Sequence, residues 1–183
     1  MNVHTCTSPT LWVHMSLAPL FDILVDFLSQ DGWAPESLPG EAMARLRVRG
    51  ENGEWEAFAQ AREADQQIVV YSECPLSAPA DRRPEVMAFI TRANFGLSIG
   101  NFELDLDDGE IRYRTSLDVK DDRLSPPLLR QLVWNNIAML DRYLPALRQV
   151  IESGASAAEA LAPIDSHHTG ENGHHHRFQF EGD

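Results

Sequence analysis

From Ser125 to Ser153 the chain reads SPPLLRQLVWNNIAMLDRYLPALRQVIES. Leu129, Leu132, Val133, Asn136, Ile137, Leu140, Tyr143, Leu144, Leu147, Val150 and Ile151 recur there at steps of three and four. That spacing sets all of them on one face of a long helix, with Ser125 at the cap position. A stripe this long needs an apolar layer to bury against. Pro145 sits inside the run, removes one backbone donor and crowds the preceding turn. A kink near Met139 to Asp141, or a break near Leu144, is the expectation. Asn136 falls on the inner face and needs a hydrogen-bonding partner there, for which loop backbone is the expectation. Trp134 and Asn135 point the other way.

The upstream sequence supplies that layer. Leu17, Leu20, Phe21, Leu24, Phe27 and Leu28 mark a first amphipathic helix, with Ser16 as its cap and Asp31-Gly32 as its end. In AMARLRVRG, Ala44, Leu46 and Val48 alternate with Arg45, Arg47 and Arg49, which is the period of a half-buried strand. Asn52-Gly53 is a turn signal. The next strand sets Trp55, Ala57 and Ala59 on the core face and Glu54, Glu56 and Phe58 outside, with Arg47 or Arg49 opposite Glu56. QQIVVYSE is apolar on both faces at Ile68, Val69, Val70 and Tyr71, as in a strand covered on two sides. After a Pro-rich loop, Pro84 opens a short helix carrying Val86, Met87, Phe89, Ile90 and Ala93, which closes near Asn94 to Gly96. With a hairpin between this helix and the long one, the order is α-β-β-β-α-β-β-α. The fold class is α+β, an antiparallel sheet packed by helices.

The hairpin, NFELDLDDGEIRYRTSLDV, concentrates acids at Asp105, Asp107, Asp108 and Glu110. Asp108-Gly109 is a favoured two-residue turn. Counting outward from it puts Leu106 opposite Ile111, Asp105 opposite Arg112, Leu104 opposite Tyr113 and Glu103 opposite Arg114. Acid–Arg pairs of this kind contribute about 0.2–1 kcal/mol each and hold register. A calcium loop would need Gly at its sixth position, where counting from Asp105 gives Glu110. The acids therefore read as sheet chemistry, and no metal site is assigned to them.

The function classes narrow by exclusion. The 183 residues fit one domain plus extensions, and the net charge of −13 disfavours nucleic acid and anionic membranes as partners. The fifteen basic residues are fourteen Arg and Lys120. Cys6 and Cys74 lack disulfide or metal spacing. The N-terminal run has no basic residue ahead of its apolar stretch and is interrupted by Asp22 and Asp26, so neither a signal peptide nor a membrane span is read. The expected location is the bacterial cytoplasm, with Met15 an alternative start. No His lies between Leu17 and Ser153, so that stretch holds no Ser-His-Asp or Cys-His set. The expectation is no catalytic residue and no cofactor. Residues 1–16 read as an irregular extension, 17–153 as the domain, and 154–183 as a flexible His-rich acidic tail. His167, His168, His174, His175 and His176 are the metal-ligand candidates, and a metal-binding protein or an enzyme using them is the alternative function. Trp134, Phe58 and Arg47 are the candidates for protein contact.

The segments RANFGLSIGNFELDLDDGEIRYRTSLDV and RLSPPLLRQLVWNNIAMLDRYLPALRQVI, with the element order, resemble the YbjN family of bacterial proteins. The resemblance covers about residues 17–153 and is strongest from Arg92 to Ile151. Members are described as sensory-transduction regulators and are similar in fold to class I type III secretion chaperones. The resemblance implies a chaperone-like or regulatory protein-binding module, an unknown protein partner and a homodimer. It brings no catalytic residues with it, and the His-rich tail lies outside it.

Overall fold

A computed structural model describes residues 19–120 and 124–166. Helix α1 (Leu20–Gln30) is followed by strands β1 (Glu36–Ser37), β2 (Met43–Arg49), β3 (Glu54–Arg62) and β4 (Gln67–Glu73). Helix α2 (Arg83–Gly96), the hairpin β5 (Asn101–Leu104) and β6 (Ile111–Asp118), and helices α3 (Pro126–Glu152) and α4 (Ala157–Ser166) complete the chain. The strands form one antiparallel sheet in the order β1-β2-β3-β4-β6-β5. Relative to the sequence reading, β1 is an additional element, and GASAAEALAPI, which reads as one weak helical turn or two, opens helix α4. Ser16 and Leu17, read as the start of the first helix, lie outside the described residues.

One face of the sheet meets the helices. Leu46 and Val48 of β2, Trp55, Ala57 and Ala59 of β3, Ile68 and Val70 of β4, and Ile111 and Tyr113 of β6 are all buried there. Leu24 and Leu28 of α1 and Leu129, Val133, Ile137, Leu140 and Leu147 of α3 bury against them. Small Ala side chains on β3 let α1 approach the sheet closely. The layer is not wholly apolar. Asn136 is fully buried, and its Nδ2 donates to the carbonyls of Val70 (2.9 Å) and Tyr113 (3.0 Å). The partner of Asn136 is thus strand backbone, not loop. Thr115 donates to the Leu132 carbonyl, and Trp55 Nε1 donates to Ser72 Oγ, at 3.0 Å each. These bonds tie α3, β6, β4 and β3 at fixed points, since each buried polar group would otherwise lose its water without compensation.

Helix α3 runs unbroken through Pro145. The carbonyl that Pro145 leaves without a helical donor, that of Asp141, accepts instead from Asn52 Nδ2 at 3.1 Å. A tertiary partner replaces the missing helical bond, so no break is needed.

The β5–β6 hairpin departs from the sequence reading in register. Leu104 faces Ile111, Glu103 faces Arg112, and Phe102 faces Tyr113. The offset from the expected pairing is two residues, so every side chain keeps its face. Leu106 leaves the core and is 55% exposed. The loop is longer than a two-residue turn because Asp105 N–H bonds the Glu110 carbonyl (2.9 Å) and Gly109 N–H bonds the Asp105 carbonyl (3.0 Å). Gly109 has φ +86 and lies against the Ala78 backbone, and Ala78 N–H donates to its carbonyl at 2.8 Å. A side chain at 109 would meet both the strained φ and the Ala78 carbonyl.

Candidate functional site

The opposite face of the sheet carries no helix among the described residues. Along β2 it presents Arg45, Arg47 and Arg49, and along β3 Glu54, Glu56, Phe58, Gln60 and Arg62. Val69, Tyr71 and Glu73 on β4, Arg112 and Arg114 on β6, and Glu103 on β5 continue it. Strand alternation produces this face: along β2, β3 and β6 its residues alternate with residues buried against the helices.

Its centre is aromatic. Phe58 and Tyr71 are direct cross-strand neighbours, and both are half-buried. The Arg112 guanidinium lies 4.6 Å from the Tyr71 ring centroid. Arg62 Nη2 donates to the Tyr71 hydroxyl at 3.0 Å, a bridge that spans the Gln60–Val69 row beneath it. Val69 is fully buried although no described helix lies over it. The arginine stems and Tyr71 ring thus shield an apolar floor.

Around this centre the charges alternate. Arg45 pairs with Glu36 at 2.7 Å and Glu56 at 3.4 Å. Arg112 pairs with Glu103 at 2.7 Å, and Arg114 approaches the same carboxylate at 3.7 Å. The hydrogen bond and charge of Arg45 hold the Glu36 carboxyl below its usual range. Burial raises Glu73, with Glu110 and Glu56 adding to it as like charges. Exposed Arg47 faces Glu56 across the ladder, but Glu56 turns to Arg45. The Nε atoms of Arg45 and Arg114 are buried without a hydrogen-bond partner. The surface is therefore a mixed-charge frame around an aromatic centre.

The carboxylates of the hairpin do not converge. Asp105 Oδ1 accepts from Asp107 N–H and Asp108 Oδ1 from Glu110 N–H, each at 2.8 Å, so both build the loop backbone. A shallow cavity of about 280 Å³ lies beside Glu103, Asp105, Glu110 and Arg112. No group of three or more His, Cys, Asp or Glu side chains placed to hold a metal ion occurs among the described residues. His167, His168, His174, His175 and His176 lie outside the described residues.

The β5 edge of the sheet is partly blocked. The outward N–H and carbonyl of Phe102 on edge strand β5 are both taken by Asn94 of α2, at 2.8 and 3.1 Å. Arg83 donates to the Leu106 carbonyl at 2.9 Å. These bonds blunt β5 as a template for an added strand.

Of the contact candidates read from sequence, Phe58 and Arg47 lie on the open face. Trp134 lies on the other side of the sheet, half-buried against Trp33 with ring centroids 5.7 Å apart. Its Nε1 donates to Asp31 Oδ2 at 3.2 Å, and Arg130 holds the other oxygen of Asp31. Tyr71, Arg62, Arg112 and Arg114 are site residues that the sequence reading does not single out. The signal for Tyr71 is present in QIVVYSE, whose outer-face apolar residues are read there as covered.

The architecture defines a class: an α+β protein with an antiparallel sheet that, among the described residues, has helices on one face only. The chain matches the model of the YbjN family, described as "Putative bacterial sensory transduction regulator", over residues 21–149, and it belongs to that family. Among solved structures, it is similar to the crystal structure of YbjN from E. coli, with a TM-score of 0.56 and 14% identity. That likeness covers 79% of this chain and 94% of the other. It also resembles a chain of the HopA1–SchA chaperone–effector complex, with a TM-score of 0.48 and 15% identity, covering 69% and 94%. A chain of the ExsC–ExsE complex gives a TM-score of 0.45 and 12% identity, covering 68% and 90%. No curated protein matches the chain.

Proposed function

We propose that this protein is a non-enzymatic protein-binding module, chaperone-like or regulatory, that works in the bacterial cytoplasm and receives a partner segment across its open sheet face. The observation that carries the reading is the aromatic centre at Phe58 and Tyr71, framed by arginines and uncovered by any described helix. Aromatic and arginine side chains are the types that concentrate binding energy at protein interfaces. The bonds of Asn94 to Phe102 disfavour strand addition at the β5 edge. A homodimer belongs to the same reading, with the 95%-exposed Phe95 of α2 as a contact residue.

Site-specific photo-crosslinking in the native cell tests this. A photoreactive residue placed at Arg47 or Phe58 is expected to capture a defined protein partner, and one placed at Arg148 on α3 is not. Equal adducts from both faces, or none from the open one, would remove the support for this site. Light scattering on the purified chain, with F95D as the comparison, checks the dimer.

A further inference from the structure

Two exposed charges on the open face make no salt bridge among the described residues: Arg47 on β2 and Glu73 on β4. They share a row. Leu46, Ala57 and Ser72 are cross-strand partners, so the next residues along, Arg47, Glu56 and Glu73, lie side by side. Neighbouring strands are about 4.8 Å apart, so the two charges flank β3 at about equal distances. Glu56 between them is already taken by Arg45 at 3.4 Å. At the next outward position of β3, Phe58 lies half-buried in the middle of the face.

This placement is self-complementary. A two-fold axis laid above β3 and parallel to it exchanges the two flanks. Arg47 of each copy then comes over Glu73 of the other, and Phe58 comes over its own equivalent. The strands of the two sheets stay aligned, as in sheets packed face to face about 10 Å apart. An axis across the strands through Phe58 would set Arg47 over Met43 and Glu73 over Val69, leaving both charges unmatched. With Glu36 and Asp118 at its margins, the face holds as many carboxylates as arginines. The repulsion expected from a net charge of −13 is therefore not concentrated here.

From this symmetry we infer that the open face pairs with a second copy of this chain, sheet to sheet, about a two-fold axis along β3. Each copy supplies Arg47 to one ion pair and Glu73 to the other, and the two Phe58 rings meet at the axis. This rests on the reading of that face as a protein-contact surface, and it names what covers it. Self-pairing and a partner segment both use Phe58, so each excludes the other.

The test uses the full chain carrying F95D, which removes any pairing through α2, and reads the dimer by analytical ultracentrifugation. F95D alone is expected to dimerise. R47E and E73R, added singly, should each weaken that dimer at least about tenfold, because the two-fold repeats the lost ion pair and sets like charges together. Mixed in equal amounts, the two variants should form a heterodimer within about threefold of the parent affinity, since each reversed charge meets its opposite in the other chain. R47E/E73R in a single chain should restore self-pairing in the same way. Both positions are exposed, and circular dichroism checks that each variant keeps the fold. A monomeric F95D protein overturns the proposal before any face variant is made. A dimer that ignores R47E and E73R overturns it too, as does a mixture of folded variants that fails to pair. If the mixture fails while a photoreactive residue at Phe58 still captures another protein in the cell, self-pairing is wrong and the open-face reading stands.

Discussion

Asp141 of α3 holds the tip of the β2–β3 hairpin through Asn52. Its Oδ1 accepts from the Asn52 N–H at 2.9 Å and its Oδ2 from the Glu51 N–H at 3.1 Å, while the Asn52 side chain returns to the Asp141 carbonyl. Asp141 is 1% exposed. Removing the carboxylate leaves two hairpin N–H groups without acceptors. D141A is expected to lower stability by about 2–3 kcal/mol, read by urea denaturation at constant slope. A loss under 0.5 kcal/mol would mean that water replaces the grip.

Pro145 and Asn52 are coupled through that same carbonyl. In the wild type, P145A restores a helical N–H that competes with Asn52 for the Asp141 oxygen. With N52A in the background, the restored bond meets no competitor. P145A should therefore stabilise the N52A protein more than the wild type, with a coupling of about 0.5–1 kcal/mol in a double-mutant cycle. Additive effects would show that the two donors do not share the acceptor.

Gly50 matters for closeness. A Cβ built there runs into the Asp141 carboxylate and comes within 2.8 Å of the Trp55 ring. G50A should cost about 1–3 kcal/mol in thermal or chemical denaturation. Gly96 at the end of α2 has open space around its Cβ position and serves as the control, with no loss expected for G96A.

Cys74 carries a thiol that burial pushes up to about 11. Near pH 8 only about one molecule in a thousand then bears the reactive thiolate. In a C6S background, Ellman's reagent at pH 8 should react with Cys74 about a hundredfold more slowly than with free cysteine. The rate should keep rising toward pH 11. A plateau near pH 9 would place the thiol in a more polar setting.

Glu159 is held below the usual glutamate range by the Ser156 hydroxyl and then by the Ser156 N–H. A carboxyl depressed in the fold contributes stability that is complete above its unfolded pKa and is lost as pH falls through its folded one. Exchange of the α4 amides should therefore rise selectively as pH drops below the ordinary glutamate range, after correction for intrinsic rates. In E159Q that selective rise should disappear.

Face assignment was legible residue by residue. The alternation of Ala44, Leu46 and Val48 with Arg45, Arg47 and Arg49 depends only on the two-residue period of a strand, and the structure keeps it. The stripe from Leu129 to Ile151 likewise depends only on helical geometry, and all its members except half-buried Ile151 are buried. Phe58 and Arg47 could be placed on the outer face of the sheet for the same reason.

Register at Asp108-Gly109 was not legible, because a slip of two residues changes no side chain's face. Long-range bonds from Ala78 to Gly109 and from Asn94 to Phe102 accompany the observed choice. The same limit applies to Tyr71 and Val69. An apolar residue on an outer face signals shielding, but local pattern does not say whether a helix or a neighbour's arginine supplies it. Helix α4 shows the point once more: the alanines and the Ser156–Glu159 capping box of GASAAEALAPI favour a helix locally, but its seat on α2 and α3 is set by the fold. Local periodicities need nothing beyond a few neighbouring residues, whereas register, shielding and the partner of Asp141 depend on groups far away in the chain.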